Sequence, residues 1–417
     1  MIQEPIAALK DWRARYGPTF LLNQLGTRVV VTADPELVRE IYEAEDPELY
    51  AAVLPPALEV LFGAHSLLMD AGAAHRRKRK LMMPPFHGAR MREWGETIVA
   101  TGRRNFAVEG EVRALDLAQR TTLELIVRIV FGVDEASRVA EFVAAVLAWT
   151  SAVRPGFLFV RALQRELFGI SPFARYWRAW QRVDALLLEQ ITQTRASPGG
   201  RGDVLAALVA ARYDDGEAMS DQSIRDQLRT LLYAGYETSA IVLTWALYFV
   251  LREPEIRERL LAELGTLEPD ADAEAIARLP YLGAVIDETL RMRPVTPDPV
   301  RVLSKPASFG EWRLPAGMAI APAPTLLHHD PQLWPEPERF SPERFYGGRP
   351  SPYVYIPFGG GSRRCLGATF ARFEAAILLA ILLREFEIEL LDKKVEWGRG
   401  LATLQPLGGV RMRVRKK

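Results

Sequence analysis

The chain has a single cysteine in 417 residues, Cys365, set in the run Phe358-Gly-Gly-Gly-Ser-Arg-Arg-Cys-Leu-Gly367. That run restricts the possible folds more than any other stretch. One thiol cannot close an internal disulfide, and structural zinc takes several thiolates or imidazoles. Three successive glycines allow a tight bend and a close backbone approach to a flat ligand. From Leu366 onward the chain reads as a helix, Leu-Gly-Ala-Thr-Phe-Ala-Arg-Phe-Glu-Ala-Ala-Ile-Leu-Leu. Cys365 therefore falls at a helix N-terminus, where the dipole and the first N–H groups favour a thiolate. Arg363 and Arg364 add positive charge beside it. A packed core cysteine is the plain alternative; the setting points instead to a metal ligand.

The run resembles the haem-binding signature of the cytochrome P450 family, Phe-x-x-Gly-x-Arg-x-Cys-x-Gly. Phe358, Gly361, Arg363, Cys365 and Gly367 occupy the fixed positions. The resemblance implies haem b, with Cys365 as the thiolate on its iron and with Phe358, Gly359 and Gly367 against the cofactor.

Upstream, Ser220 to Leu251 carries a serine cap, apolar residues at helical spacing and Pro254 beyond the end. Such a helix spans roughly 45 Å, enough to cross a domain. Its middle reads Ala234-Gly235-Tyr236-Glu237-Thr238-Ser239. A glycine, an acid and two hydroxyls in a buried apolar helix work against its stability, which marks a functional site. A threonine bonding back to its own helix beside a surface glutamate is the structural alternative. The stretch resembles the family's oxygen-activating motif, Ala/Gly-Gly-x-Asp/Glu-Thr-Thr/Ser. By that match Thr238 and Glu237 relay protons to dioxygen, and Ala234 lies against the cofactor. A relay of this kind needs a hydroxyl that both donates and accepts, next to a carboxylate recharged from solvent.

Glu288-Thr-Leu-Arg291 places two opposite charges on one helical face among Leu282, Val285, Ile286 and Leu290. Most such pairs are surface decoration. This one resembles the family's Glu-x-x-Arg, which locks to a downstream loop and steadies the cysteine loop. Pro337-Glu-Arg-Phe340 and Pro342-Glu-Arg-Phe345 leave Arg339 and Arg344 both open as the third member. The family pattern, in which that arginine comes late in the stretch, favours Arg344.

Haem carries two carboxylates that need cationic or hydrogen-bonding partners once buried. His75 and Arg79, four apart on one helical face, together with Arg301 and Arg363, correspond to such partners in the family. The five-charge run Arg76 to Lys80 also reads as a nucleic-acid patch. A net charge of only +1 and the lack of interleaved aromatics argue against that. Arg76 and Lys80 are then left for an acidic electron-transfer partner.

No long linker, repeat or low-complexity tract interrupts the chain. The longest apolar runs, such as Ala375 to Leu383, are too short to span a bilayer. The start, Met-Ile-Gln-Glu-Pro, has no signal core or anchor, and it lacks the Pro-rich lead-in usual in the family before Tyr16-Gly-Pro. One thiol and no anchor point to a reducing, cytoplasmic setting. The resemblance implies one cytochrome P450 domain over residues 1–417, mainly α with a smaller β-rich lobe. Strands are expected around 19–33, 300–350 and 386–414.

Substrate is least constrained. Trp149, Phe157, Phe159, Phe168, Phe173, Tyr176, Trp177 and Trp180 fall where relatives carry a mobile lid, although an aromatic stripe is more often core. Other candidate pocket walls are Leu54, Leu61, Leu67, Tyr233, Val295, Thr296, Leu401 and Ala402. An apolar pocket implies a hydrophobic substrate, terpenoid, fatty acyl or polyketide-like. The resemblance implies a bacterial-type soluble haem-thiolate monooxygenase acting in secondary metabolism by hydroxylation. It would use dioxygen and NAD(P)H electrons through a ferredoxin or flavodoxin-type donor, and work as a monomer. A peroxygenase or haem isomerase on the same fold has no need of Glu237-Thr238. A haem-binding sensor predicts haem without turnover, and a helical interaction protein without cofactor would purify colourless.

Overall fold

The computed structural model describes residues 5–417 apart from 25–26, 45, 53, 55, 87–88, 198–201, 298 and 401–402. The chain falls into two compact units. One comprises Met1–Ala51, Ile98–Gln119 and Thr238–Lys417, the other Ala52–Thr97 and Arg120–Glu237.

The first unit holds the strands. Thr19–Gln24 and Thr27–Thr32 form an antiparallel hairpin, and the second of them pairs in parallel with Ala319–Pro322, which pairs antiparallel with Arg301–Val302. The β-branched run Val29-Val30-Val31 suits a central strand and is buried throughout. Asp34 then caps the helix Pro35–Glu43, accepting from the Glu36 N–H at 2.9 Å, with Pro35 at the first helical position. Leu37, Val38, Ile41 and Tyr42 of that helix join the sheet's core. A second sheet orders Gly110–Arg113, Arg411–Lys416 and Phe386–Leu390, all antiparallel. The helix Ala368–Glu385 is buried from Glu374 to Leu383, the sign of a core helix apolar on every side.

The strands expected over 300–350 stop at Pro322. Beyond it come the short helix Pro324–Leu327 and turns. Pro331, Pro335, Pro337 and Pro342 supply no N–H to a ladder, so this stretch cannot be sheet interior.

The second unit is helical. Ala136–Ala152 packs on Pro172–Ala196, which Ser171 caps through the Ala174 N–H at 2.9 Å. The basic helix Gly72–Met82 is met by an acidic turn. Arg77 pairs with Asp215 and Glu217 at 2.6 and 3.1 Å, Lys80 with Asp214 at 2.7 Å, and Lys78 with Asp70 at 2.5 Å. Arg77, Lys78 and Lys80 thus pair within their own unit, the Lys80–Asp214 pair at its exposed surface. The helix Asp221–Arg252 begins in this unit and ends in the other, the division falling between Glu237 and Thr238. It is the one helix among the described residues long and apolar enough to cross a membrane, but 72% of that apolar window is buried within the protein.

Candidate active site

The cysteine loop is closed by its own backbone. The Cys365 N–H donates to the Phe358 carbonyl at 2.9 Å, and the Gly359 N–H to the Ile356 carbonyl at 3.0 Å. Gly359 and Gly361 adopt φ of +65° and +62°, the left-handed region that favours glycine. A Cβ on Gly360 would lie 2.1 Å from the Tyr42 ring, so the loop rests directly on that side chain. The following helix starts at Ala368, two residues later than its sequence suggests. Leu366 and Gly367 form the approach turn, as the low helix propensity of glycine allows. Cys365 is exposed, Phe358, Gly359 and Gly367 are half-buried, and nothing lies within 4 Å of a Cβ built on Gly367. Among the described residues no three His, Cys, Asp or Glu side chains cluster to hold a metal. One thiolate alone suits a metal whose other positions a macrocycle fills.

Behind the loop lies a buried ion pair. Glu288 and Arg291, both wholly buried, meet bidentately at 2.7 and 2.9 Å. The Ser341 N–H donates to Glu288 at 2.8 Å, and Arg344 stands 3.4 Å away. Arg339 is instead exposed against Glu336. Burial pushes the Glu288 carboxyl up, and Arg291, Ser341 and Arg344 pull it back. Arg291 also donates to the carbonyls of His328 and Pro337 at 2.7 and 2.8 Å. His328, buried and held neutral, accepts the Ile356 N–H on Nε2 at 2.9 Å. A continuous set of bonds therefore runs from Glu288 through Arg291 and His328 to Ile356, two residues before Phe358. Sequence reasoning missed His328, because nothing in its local pattern signals this bond.

Arg301 is buried, and among the described residues it meets only the carbonyls of Pro299, Val300 and Gly360, at 3.2 to 3.4 Å. A buried guanidinium facing no carboxylate among the described residues suits an anionic substituent on a bound group. Arg363 reaches the Ala51 carbonyl at 3.5 Å. In the second unit His75 is buried and Arg79 half-buried, one helical turn apart.

The long helix is buried over most of its length but opens in the middle. Ala234 is exposed, and Leu231, Tyr233, Gly235, Glu237 and Thr238 are half-buried. Residues 231, 234, 235 and 238 share one helical face. Thr122 donates to the Tyr236 carbonyl at 2.8 Å, and a Cβ on Gly235 would lie 2.8 Å from Ile126. Partial burial raises the Glu237 carboxyl. Glu374, on the helix after the cysteine, is wholly buried, and neither of its oxygens completes a hydrogen bond among the described residues. Burial pushes it up to about 8, offset in part by the Ser239 hydroxyl nearby.

Of the candidate pocket residues, Leu54 is half-buried and Thr296 exposed, whereas Leu61, Leu67 and Val295 are buried. Tyr233 meets Phe62 edge-on. The segment before His75 is pinned to the long helix, His65 N–H to Asp226 at 3.0 Å, Leu67 N–H to Gln227 at 2.9 Å and Ser66 to Thr230 at 2.7 Å. Leu401 and Ala402 lie outside the described residues. Of the eight aromatic residues, Trp149, Phe157, Tyr176 and Trp180 are buried core, and Trp149, Tyr176 and Trp180 enclose the buried Arg229, whose guanidinium lies 3.5 Å over the Trp180 ring. Phe173 and Trp177 are half-buried and Phe168 is exposed.

Comparison with known proteins agrees over nearly the whole chain. The cytochrome P450 family model matches residues 2–403. A Mycobacterium tuberculosis protein named "Putative cytochrome P450 135B1" is 36% identical, covering 100% of this chain and 88% of its own length. "Putative cytochrome P450 138" from Mycobacterium bovis is 35% identical over 97% of this chain and 90% of its own. Among solved structures, the cyanobacterial CYP120A1 with retinoic acid bound superposes with a TM-score of 0.86 at 25% identity, covering 98% of this chain and 94% of that one. The haem domain of cytochrome P450DA gives a TM-score of 0.83 at 24% identity, covering 100% and 94%.

Proposed function

This chain belongs to the cytochrome P450 family, and on that premise we propose that it is a soluble, cytoplasmic haem-thiolate monooxygenase working as one catalytic domain and as a monomer. Its substrate is a hydrophobic small molecule of terpenoid, fatty acyl or polyketide-like character. Its electrons come from NAD(P)H through a ferredoxin or flavodoxin-type donor. The observation that carries this reading is the exposed, lone Cys365 in a glycine loop held from behind by the buried Glu288–Arg291 pair.

When bound, haem supplies the redox-active iron at which dioxygen is activated. Cys365 would hold it through sulphur, and Arg301, Arg363, His75 and Arg79 would take its carboxylates. Phe358, Gly359, Gly367 and Ala234 present small or flat surfaces to it. Glu237, its carboxyl raised by partial burial, picks up protons from solvent and passes them to Thr238. The Thr238 hydroxyl accepts with a lone pair as it donates its own proton onward. The candidates for substrate contact are Leu54, Leu61, Leu67, Tyr233, Val295 and Thr296. The retinoic acid bound by the cyanobacterial relative, a long apolar molecule, favours an isoprenoid-like substrate here.

The test is spectroscopic. The reduced protein treated with carbon monoxide should show a strongly red-shifted Soret band, lost in Cys365→Ser. An unshifted band in the parent would overturn the assignment. Compounds that shift the Soret band of the oxidised protein then define the substrate class.

A further inference from the structure

Two buried groups in the first unit share a need that is unmet among the described residues. Arg301 is 6% exposed, and its contacts among the described residues are three long bonds to carbonyls. Tyr42, on the helix Pro35–Glu43, is 8% exposed, and its hydroxyl has no hydrogen-bond partner among the described residues. The two are adjacent, the Arg301 guanidinium carbon lying 5.9 Å from the centre of the Tyr42 ring. Tyr50, the other phenol near Arg301, spends its proton on the Ile41 carbonyl at 2.9 Å, which leaves Tyr42 as the available donor. A buried cation without a carboxylate and a buried hydroxyl without an acceptor are each costly alone. One carboxylate would relieve both.

Arg301 is assigned a haem carboxylate above; we infer that Tyr42 is a second donor to that same carboxylate, its hydroxyl standing beside the guanidinium at the cysteine loop. This rests on the haem-thiolate reading above. Position supports it. The Tyr42 ring lies under Gly360, and its hydroxyl is 3.9 Å from a Cβ built on Gly359, so the donor emerges beside the cysteine loop itself. Arg301 touches the same loop through the Gly360 carbonyl. Burial also pushes the Tyr42 phenol up to about 12, which keeps its proton available. Arg301 supplies charge and Tyr42 supplies direction.

The experiment compares holoprotein with Tyr42→Phe. Phenylalanine preserves the ring beneath Gly360 and removes one oxygen. Haem transfer to excess apomyoglobin should quicken about tenfold or more, the loss expected for one hydrogen bond to a charged group. The carboxylate bending bands in the resonance Raman spectrum should shift, while the carbon monoxide band stays red-shifted. Cofactor-free Tyr42→Phe should melt no lower than the cofactor-free parent, since its hydroxyl then satisfies nothing. An unchanged transfer rate with a normal carbon monoxide band would overturn the role of Tyr42 and leave the monooxygenase reading standing. A fall in cofactor-free melting temperature as large as the holoprotein's would also overturn it, because the hydroxyl would then be structural. A parent that binds no haem defeats both readings.

Discussion

Two buried acids of the first unit differ in how their charge is answered. Glu288 accepts from Arg291 twice and from Ser341, with Arg344 close by, so it can stay ionised. Glu374 has only the nearby Ser239 hydroxyl, and burial raises it from the ordinary 4.5 to about 8. Below about pH 4.5 folded and unfolded chains both hold that proton. As pH rises to about 8 the unfolded chain releases it and the folded chain keeps it, so stability drains across this window and levels off above it. Glu374→Gln should escape the loss. Its melting temperature relative to the parent should rise across that window and then stay constant. Thr238→Ala should leave haem binding intact but lower product formed per electron consumed, with kcat falling about a hundredfold or more.

Helices and loops depend on one another most visibly along the bonds from Glu288 to Ile356. Arg291→Lys keeps the charge but loses the planar fork that meets a carboxylate and two carbonyls at once. Each buried acceptor left unmet should cost about 1–3 kcal/mol, seen as a large drop in melting temperature or loss of soluble protein. His328→Leu leaves the buried Ile356 N–H without its acceptor. More of the reduced carbon monoxide complex should then absorb at the unshifted position. Glu288, Arg291 and the cysteine loop were legible in the sequence through their match to the family's motifs, since spacing alone leaves a Glu-x-x-Arg pair as surface decoration. His328 was not, since its partner is a backbone amide brought near only by tertiary folding. Nothing local in the sequence singles out Tyr42, because an unanswered hydroxyl shows only once its neighbours are placed.

Across the whole molecule stability is unevenly distributed. The helix Ala368–Glu385 is buried on every side, whereas residues 147–170 carry exposed Leu147, Val160, Leu163, Phe168 and Ile170. Phe168 is wholly exposed at a φ of +56°, unusual for any residue but glycine. Such a stretch opens at low cost. Brief chymotrypsin treatment should cut first near Leu163 and Phe168, well before any cut within 368–385, as mass spectrometry of the fragments can establish. The glycine loop carries a different consequence, in the chain's descent. Because the Tyr42 ring fills the space a Cβ on Gly360 would need, these two positions cannot drift independently. In an alignment of descendants, glycine at 360 should persist wherever an aromatic occupies 42. Lineages that shrink residue 42 should be the ones where 360 begins to vary.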